Sequence, residues 1–460
     1  MARSVPLPSP AAVAARELSV DEQARHALDR LAFGPRPGDV DRVRSVGVDQ
    51  WIARQLDPER MPDSVGDRIS AALPLAHAPI TDALGDVGTS ARGDTVARRE
   101  ARRRSAEIAR QLQTERVARA VGSERQLQEV LVDFWANHFS VFAGKGLVRL
   151  YVAPYEQDVI RPHVLGRFRD LLGAVAHSPA MLFYLDNWRS AADSAHPTLA
   201  MAGRARFARR GVVRPQVPAR APRGLNENYA RELLELHTLG VTGGYTQHDV
   251  IEVARAFTGW TISGPRDGGR FVFRPAMHDA GEKLVLGTRI PAGGGESDAE
   301  RVLDILARHP ATARTVATKL AQRFVSDDPP PALVDRVAAV YAQTDGDVRQ
   351  VVRAIVTSPE FFSRAAYRAK VKSPLELVAS GLRAVGAAPD TTPRAARMVA
   401  QLGEPLYGHR DPNGWPERSS EWLSAGAVVS RINFGLALAN RATLGDSLRA
   451  VLGAPEFQRR

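Results

Sequence analysis

The 460-residue chain combines 44% hydrophobic with 25% charged residues, which excludes collagen-like, coiled-coil and wholly disordered proteins. It contains no cysteine, which excludes disulfides, thiolate nucleophiles, iron–sulfur clusters and cysteine-ligated zinc. No stretch approaches the roughly 20 consecutive apolar residues of a transmembrane helix. We therefore expect no membrane span.

The formal charge of +11 comes from two arginine-rich segments. Residues 92–119 carry nine arginines against four acids, and residues 204–223 carry seven arginines and no acid. The resulting net charges, +5 and +7, together exceed the total, so the rest of the chain is nearly neutral. Arginine-rich segments can bind nucleic-acid phosphates, but a solvated helix and loop explain them better. Nucleic-acid binding is only the third hypothesis of function.

Residues 1–18 are predicted to be a disordered N-terminal arm. Prolines stand at positions 6, 8 and 10, and the short apolar run lacks the h-region of a secretory signal. As written, the chain is expected to be cytoplasmic, or exported if a leader is missing from this start. Ser19 and Glu22 have the spacing of a capping box, which predicts that the first core helix begins here.

The remaining patterns predict a mainly α fold, with a single large multi-helix domain over residues 19–445 and a C-terminal tail over 446–460. Residues 189–223 are predicted to be a mobile insertion loop, because they are rich in arginine and proline and lack a strong apolar period. Strand-like residues 271–273 and 284–286 predict one small β-hairpin. Helices are predicted over 95–142 with a break at Gly122, and near 226–239, 247–257, 298–308, 310–325, 331–343, 346–357, 373–386 and 425–440.

A polar stripe follows one face of the helix predicted over 226–239. Asn228, Glu232 and Glu235 fall within about 60° of one another at helical spacing, and Arg231 flanks them. Two carboxylates one turn apart can bind a divalent cation, or one can stay protonated beside the other as a general acid. An amphipathic surface helix shows the same stripe without any chemistry.

Two histidines also stand in polar motifs. His138, beside Asn137, falls on an aromatic face, so its imidazole is predicted to be buried and to need a hydrogen-bond partner or a metal. His278 and Asp279 stand in a turn before Lys283, where they could reach a pocket or form only an Asx turn.

The C-terminal region is rich in aromatic and amide side chains. Tyr407, His409, Asn413, Trp415 and Trp422 could line a pocket wall or only pack an irregular segment.

Seven ordered motifs resemble the bacterial family catalogued as domain of unknown function 1800. They are His26-x-x-x-Arg30-x-x-Phe-Gly34, Phe134-Trp-x-Asn-His-Phe139, Pro179-Ala-Met-Leu-x-Tyr-Leu-Asp-Asn187, Asn226-Glu-Asn-x-Ala-Arg-Glu-Leu-x-Glu-Leu236, Ala256-Phe-Thr-Gly-Trp260, His278-Asp-x-Gly-x-Lys283 and Ser358-Pro-Glu-Phe-Phe362.

The resemblance implies one long, mostly helical domain, frequent export and a sulfatase-like protein as partner. It implies no established activity. The family pattern often has a second histidine where this chain has Ala136, so a site that needs both histidines would be incomplete here.

The leading hypothesis is that the polar motif residues converge in a cleft between helices. As a metal-dependent hydrolase or oxidase, the protein would bind an unidentified divalent metal and hold an anionic substrate group. The alternative is a structural or partner-binding protein in which the same residues form a buried, non-catalytic network. The expected metal ligands are Glu232, Glu235, His278 and Asp279; the catalytic candidates are Glu232, Glu235, His138, Arg231 and Lys283; the further cleft residues are Asn137, Asn228 and Arg30.

Overall fold

Helices account for most of the structure, a computed structural model that describes residues 9–82, 95–193, 196–208, 224–264, 267–441 and 454–460. The mainly α fold class is therefore confirmed. Within these ranges, no helix has both the length and the apolar character that crossing a membrane requires.

Residues 9–18 belong to the folded structure, which corrects the predicted disordered arm over this part of it. A short helix spans Pro10–Ala14, Leu18 is buried, and Arg16 pairs with Asp49 at 2.6 Å. The Ser19 capping box is confirmed, because the Ser19 hydroxyl and the Glu22 carboxylate each accept the other residue's backbone N–H. Residues 1–8 lie outside the described residues.

The first half of the chain is a series of helices joined by short turns. Its α-helices are Val20–Leu31, Asp39–Val46, Val48–Gln55, Ser64–Ala72, Thr95–Gly122, Gln126–His138, Val148–Pro154, Phe168–His177 and Pro179–Tyr184, with a π-helix at Tyr155–Ile160. Single 3-10 turns occur at Pro58–Arg60, Pro74–His77, Arg161–His163 and Asn187–Arg189.

The arginine-rich helix Thr95–Gly122 is not solvated along its whole length. Arg116, near its end, is only 6% exposed and pairs with Asp133 at 2.7 Å and with Glu156 at 3.3 Å. Part of the basic charge therefore neutralises buried acids of this chain. In the second arginine-rich segment, residues 209–223 lie outside the described residues.

The middle of the chain differs from the prediction in two places. A helix spans Leu199–Ala208, where a loop was expected. In the described ranges, two antiparallel hairpins replace the predicted single one: β1 (Trp260–Ile262) pairs with β2 (Phe271–Phe273), and β3 (Lys283–Val285) pairs with β4 (Thr288–Ile290). The two segments expected to pair with each other thus belong to different sheets. The flanking helices are Asn228–Glu232, continued by a π-helix at Leu233–Thr238, and Gln247–Ala256.

The second half of the chain is again helical, close to the predicted positions. Helix Pro310–Phe324 packs against both Pro331–Gln343 and Val348–Val356, and the main apolar core extends along the chain from Leu18 to Tyr407. The helices are Ser297–Ala307, Pro310–Phe324, Pro331–Gln343, Val348–Val356, Pro374–Ala384, Arg394–Gln401 and Ala425–Arg441, with 3-10 turns at Ser419–Trp422 and Pro455–Gln458.

Leu320 is fully buried in helix Pro310–Phe324. We expect Leu320→Ala to lower the free energy of unfolding by about 2 to 5 kcal/mol, because it removes buried methyl groups and leaves a cavity. Urea denaturation measures the change. Leu284→Ala is the control, since Leu284 is 45% exposed and its loss should stay within about 0.5 kcal/mol. Equal losses at the two positions would contradict this account of the core.

Candidate functional site

An open cleft of about 500 Å³ lies between the end of helix Gln126–His138, one face of helix Pro310–Phe324 and the loop 409–421. This volume is typical of a small-molecule site. Polar and aromatic side chains form most of its walls. The lining residues are Phe134, Asn137, His138, Lys319, Gln322, His409, Asn413, Gly414, Trp415, Pro416, Glu417, Arg418 and Glu421.

Asn137 holds the loop in place. Its Nδ2 donates to the carbonyl of Trp415 at 2.7 Å, and the backbone N–H of Trp415 donates to Asn137 Oδ1 at 2.7 Å. Gly414 has a φ of +71°, and a Cβ there would stand 2.4 Å from the Asn137 carbonyl. The loop approaches the helix this closely only because residue 414 is glycine. Asn137 is therefore a positioning residue at the cleft.

His138 is buried among aromatic rings as predicted, and its hydrogen bonds define its tautomer. Its Nε2 lies 3.2 Å from the carbonyl oxygen of His237, which can only accept, so Nε2 carries the proton. Nδ1 then has a free lone pair, and the Lys319 amine lies 3.2 Å from it. Burial, reinforced by the Lys319 charge, lowers the pKa of His138 well below its usual value. The imidazole is therefore neutral.

Lys319 stands at the cleft wall without a carboxylate partner among the described residues. Besides His138, its amine donates to the Leu236 carbonyl at 3.4 Å. Leu236 and His237 belong to the last turn of the π-helix Leu233–Thr238, where helix carbonyls lack intrahelical partners. Burial lowers the pKa of Lys319 to about 8. An appreciable share of this amine is neutral near physiological pH.

A second, buried cavity of about 40 Å³ adjoins the cleft, and Asn137, His409, Trp415 and Glu417 line both. Burial, with the nearby charge of Asp133, raises the pKa of Glu404 to about 8, so this carboxyl is largely protonated. Charged side chains form most of the remaining polar wall: Arg116, Asp133, Arg323, Glu376 and Arg460. Tyr407 and Trp422 line this inner cavity, Asn413 lines the cleft, and His409 and Trp415 line both.

The carboxylates Glu232 and Glu235 lie on the helical segment that contributes the Leu236 carbonyl. Burial and then the charge of Glu235 raise the pKa of Glu232, which is the direction expected for a general acid. Glu235 accepts from the Tyr245 hydroxyl at 3.3 Å.

Arg231 and Asn228, the polar neighbours of these carboxylates, bond to other residues. Arg231 pairs with Glu227 at 3.5 Å and donates to Gln247 at 2.9 Å. Asn228 donates to the Leu185 carbonyl at 3.4 Å.

His278, Asp279 and Lys283 form a separate cluster away from solvent. Lys283 is wholly buried and donates to Asp298 at 2.6 Å, and His278 lies 3.2 Å from the same carboxylate oxygen. Asp279 accepts from Arg255 Nε at 2.8 Å and from Arg255 Nη2 at 3.1 Å. These partners lie on other elements of the fold, and the arrangement matches the non-catalytic network hypothesis for these three residues.

The expected metal quartet does not assemble, which corrects the leading hypothesis. Glu232 and Glu235 do not meet His278 and Asp279, and no group of three His, Asp or Glu side chains in the described ranges could hold a metal ion. Arg30 is also outside the cleft: it is fully buried and donates to the Ala366 carbonyl at 2.6 Å.

The sequence model of one family, described as a protein of unknown function (DUF1800), matches residues 26–459. The chain belongs to this family. The resemblance inferred from the seven motifs is thereby confirmed. No curated protein and no solved structure matches the chain.

The DUF1800 motifs have different positions relative to the cleft. Phe134–Phe139 contributes Phe134, Asn137 and His138 to its wall, whereas His278–Lys283 builds the buried cluster. The sequence gives no signal for Lys319, because it lies in none of the motifs and stands in an ordinary helical context.

Asp298→Ala tests the buried cluster. It leaves the Lys283 ammonium without its carboxylate, so we expect the free energy of unfolding to fall by about 3 to 5 kcal/mol. The control is Asp335→Ala in the exposed Arg314–Asp335 pair, where the loss should stay below about 1 kcal/mol. Comparable small losses for both variants in urea denaturation would mean that the cluster does not stabilise the fold.

Proposed function

We propose that the protein is an enzyme whose active site is the cleft, and that Lys319 is its catalytic amine toward a substrate with a carbonyl group. The observation that carries this proposal is the placement, on the wall of an open cleft, of an amine that has no carboxylate partner in the part of the chain that the structure describes. Lysines of this kind are nucleophiles in carbonyl chemistry.

The geometry supports a specific division of roles. The neutral Lys319 amine adds to the substrate carbonyl carbon, and loss of water then gives a C=N bond. The unprotonated Nδ1 of His138 is 3.2 Å from the amine and can take the proton that the nitrogen releases on attack. The proton on Nε2 stays in its hydrogen bond to the His237 carbonyl. This role agrees with the expectation that His138 is a catalytic residue.

The cleft walls support a polar organic substrate of small size. Gln322 and Asn413 offer amide donors and acceptors, Glu417 offers a carboxylate, and Trp415 offers an aromatic surface. Such a mixture fixes orientation through a few polar contacts while the aromatic ring supplies contact area.

Glu232 and Glu235 remain candidates for proton transfer at the edge of this region. Burial and the charges of Asp411 and Glu232 raise the pKa of Tyr184. Tyr184 is therefore close both to Glu232 and to the loop that follows His409. The Tyr184 hydroxyl donates to the Arg410 carbonyl at 2.6 Å.

The second candidate function is a non-catalytic, partner-binding protein, which the buried His278 cluster favours. A sulfatase-like partner and nucleic-acid binding stay predictions from the family resemblance and from the arginine-rich segments, respectively.

Amine reactivity tests the proposal directly, because the chain has only five lysines. A limiting pulse of acetic anhydride acetylates the lysines, and peptide mass spectrometry measures the acetylated fraction of each. We expect the acetylated fraction of Lys319 to rise with pH through a midpoint near 8. At pH 8 about half of this amine is neutral, against under about 1% for a lysine of ordinary pKa. The control is the same lysine in the urea-unfolded chain, where the midpoint should move toward about 10.4. A midpoint near 10 in the folded protein would rule out the activated amine.

Imine trapping tests the chemistry itself. Pyruvate or acetaldehyde with cyanoborohydride at pH 7.5 should give a stable adduct mainly on Lys319. Lys145 is the internal control, because it is partly exposed but ion-paired with Asp186 at 2.6 Å. Lys319→Met should remove the dominant adduct without changing the thermal midpoint by more than a few degrees. Adducts spread evenly over the lysines would contradict a catalytic amine.

A further inference from the structure

After the 3-10 turn at Pro455–Gln458, residues 458–460 pair with residues 370–372 as a short added strand. The backbone N–H of Arg460 donates to the Lys370 carbonyl at 2.8 Å, and that of Lys372 donates to the Gln458 carbonyl at 2.9 Å. Val371 and Arg459 form an antiparallel bridge between these bonds. Main-chain pairing of this type is how proteins capture extended peptides by strand addition.

The last two side chains of this segment differ in burial. Arg460 is only 3% exposed, and its Nε lies 2.9 Å from Glu376 Oε2. Arg459, its neighbour, is exposed. Because successive side chains of a strand point to opposite sides, the groove recognises one of two adjacent arginines.

An aromatic residue occupies the other end of the groove. The Lys372 ammonium lies 3.9 Å from the centre of the Phe457 ring and donates to the Phe457 carbonyl at 2.8 Å. Lys372 is only 4% exposed and has no carboxylate ion pair among the described residues. Its polar contact is supplied by the segment.

The groove is therefore built from buried charges that the docked segment completes. Arg431, 2% exposed, donates to the Lys372 carbonyl at 2.8 Å and so fixes the strand that receives the segment. Glu376 also pairs with Arg323 at 3.1 Å, which holds its carboxylate in place for a second guanidinium. Buried polar groups without partners are costly, so an empty groove favours binding of a matching chain.

We propose that this groove, formed by residues 370–372, Glu376 and Arg431, is a peptide-binding site. Its ligand is a segment of a partner protein that carries an aromatic residue in a short turn and, three positions later, an arginine at the end of the paired strand. Residues 454–460 occupy it within the same chain and compete with that partner. The proposal does not depend on the function of the Lys319 cleft, because it rests on different side chains.

Peptide exchange tests the proposal in the full-length chain. The probe is a fluorescent, amidated peptide with the sequence of residues 454–460, and Arg460→Glu in the protein displaces the internal segment. We expect this variant to bind the probe at least tenfold more tightly than the wild type does, because a tethered segment competes at an effective concentration of about millimolar. Arg459→Glu is the matched control protein and should behave as the wild type.

Variants of the peptide probe show which of the two arginines the groove recognises. A probe with Arg460→Glu should lose binding at least tenfold, whereas a probe with Arg459→Glu should keep it. Equal affinity of both probes, or equal binding by all three proteins, would overturn the proposal.

Amide exchange of the wild-type chain provides a second measurement that needs no variant protein. Millimolar native peptide should increase hydrogen exchange in residues 454–460 of the chain, and the Arg460→Glu peptide should not. Unchanged exchange with both peptides would also overturn the proposal, even if the protein variant failed to fold.

Discussion

Asp133 is the residue on which the arrangement of the helices around the cleft depends. Its two carboxylate oxygens accept from Arg116 at 2.7 Å and from Arg323 at 2.9 Å, and all three side chains are buried. The contact joins helices Thr95–Gly122, Gln126–His138 and Pro310–Phe324. Charges buried in this way are costly unless they are paired with good geometry. Sliding any one of the three helices would leave a charge without its partner, so the network permits one arrangement of the three.

The cleft follows from this arrangement. Arg323 also pairs with Glu417 at 3.3 Å, which draws the loop 409–421 toward the helices while the two hydrogen bonds between Asn137 and Trp415 fix its approach. Lys319 precedes Arg323 by four residues and therefore shares its helix face. With Arg323 held on Asp133 and Glu417, the Lys319 amine stands one turn away, beside His138. The same ion network thus stabilises the fold and places the proposed catalytic amine.

Sequence patterns predicted local structure better than they predicted the site. Capping residues and glycines located most helices, because those signals act within a few residues. The hairpins were mispaired because the partner strand Trp260–Ile262 carries only three residues and begins shortly after helix Gln247–Ala256. His138 was recognised as buried, but its partner Lys319 lies 181 residues away. His278 and Asp279 suggested a metal site because their own segment does not reveal Asp298 or Arg255, which satisfy them from other elements.

The five lysines differ in whether a carboxylate pairs with them, and this difference sets the Lys319 cleft and the Lys372 groove apart. The chain has 57 arginines and five lysines. Lys145, Lys283 and Lys370 pair with Asp186, Asp298 and Asp327, whereas Lys319 and Lys372 have no carboxylate pair among the described residues. Burial lowers the pKa of both to about 8. Arginine cannot lose its proton in a protein, so it could not supply the neutral amine proposed at Lys319. At Lys372 the compact ammonium lies over the Phe457 ring and also donates to the Phe457 carbonyl. Lys372 makes these two contacts only while a segment occupies the groove.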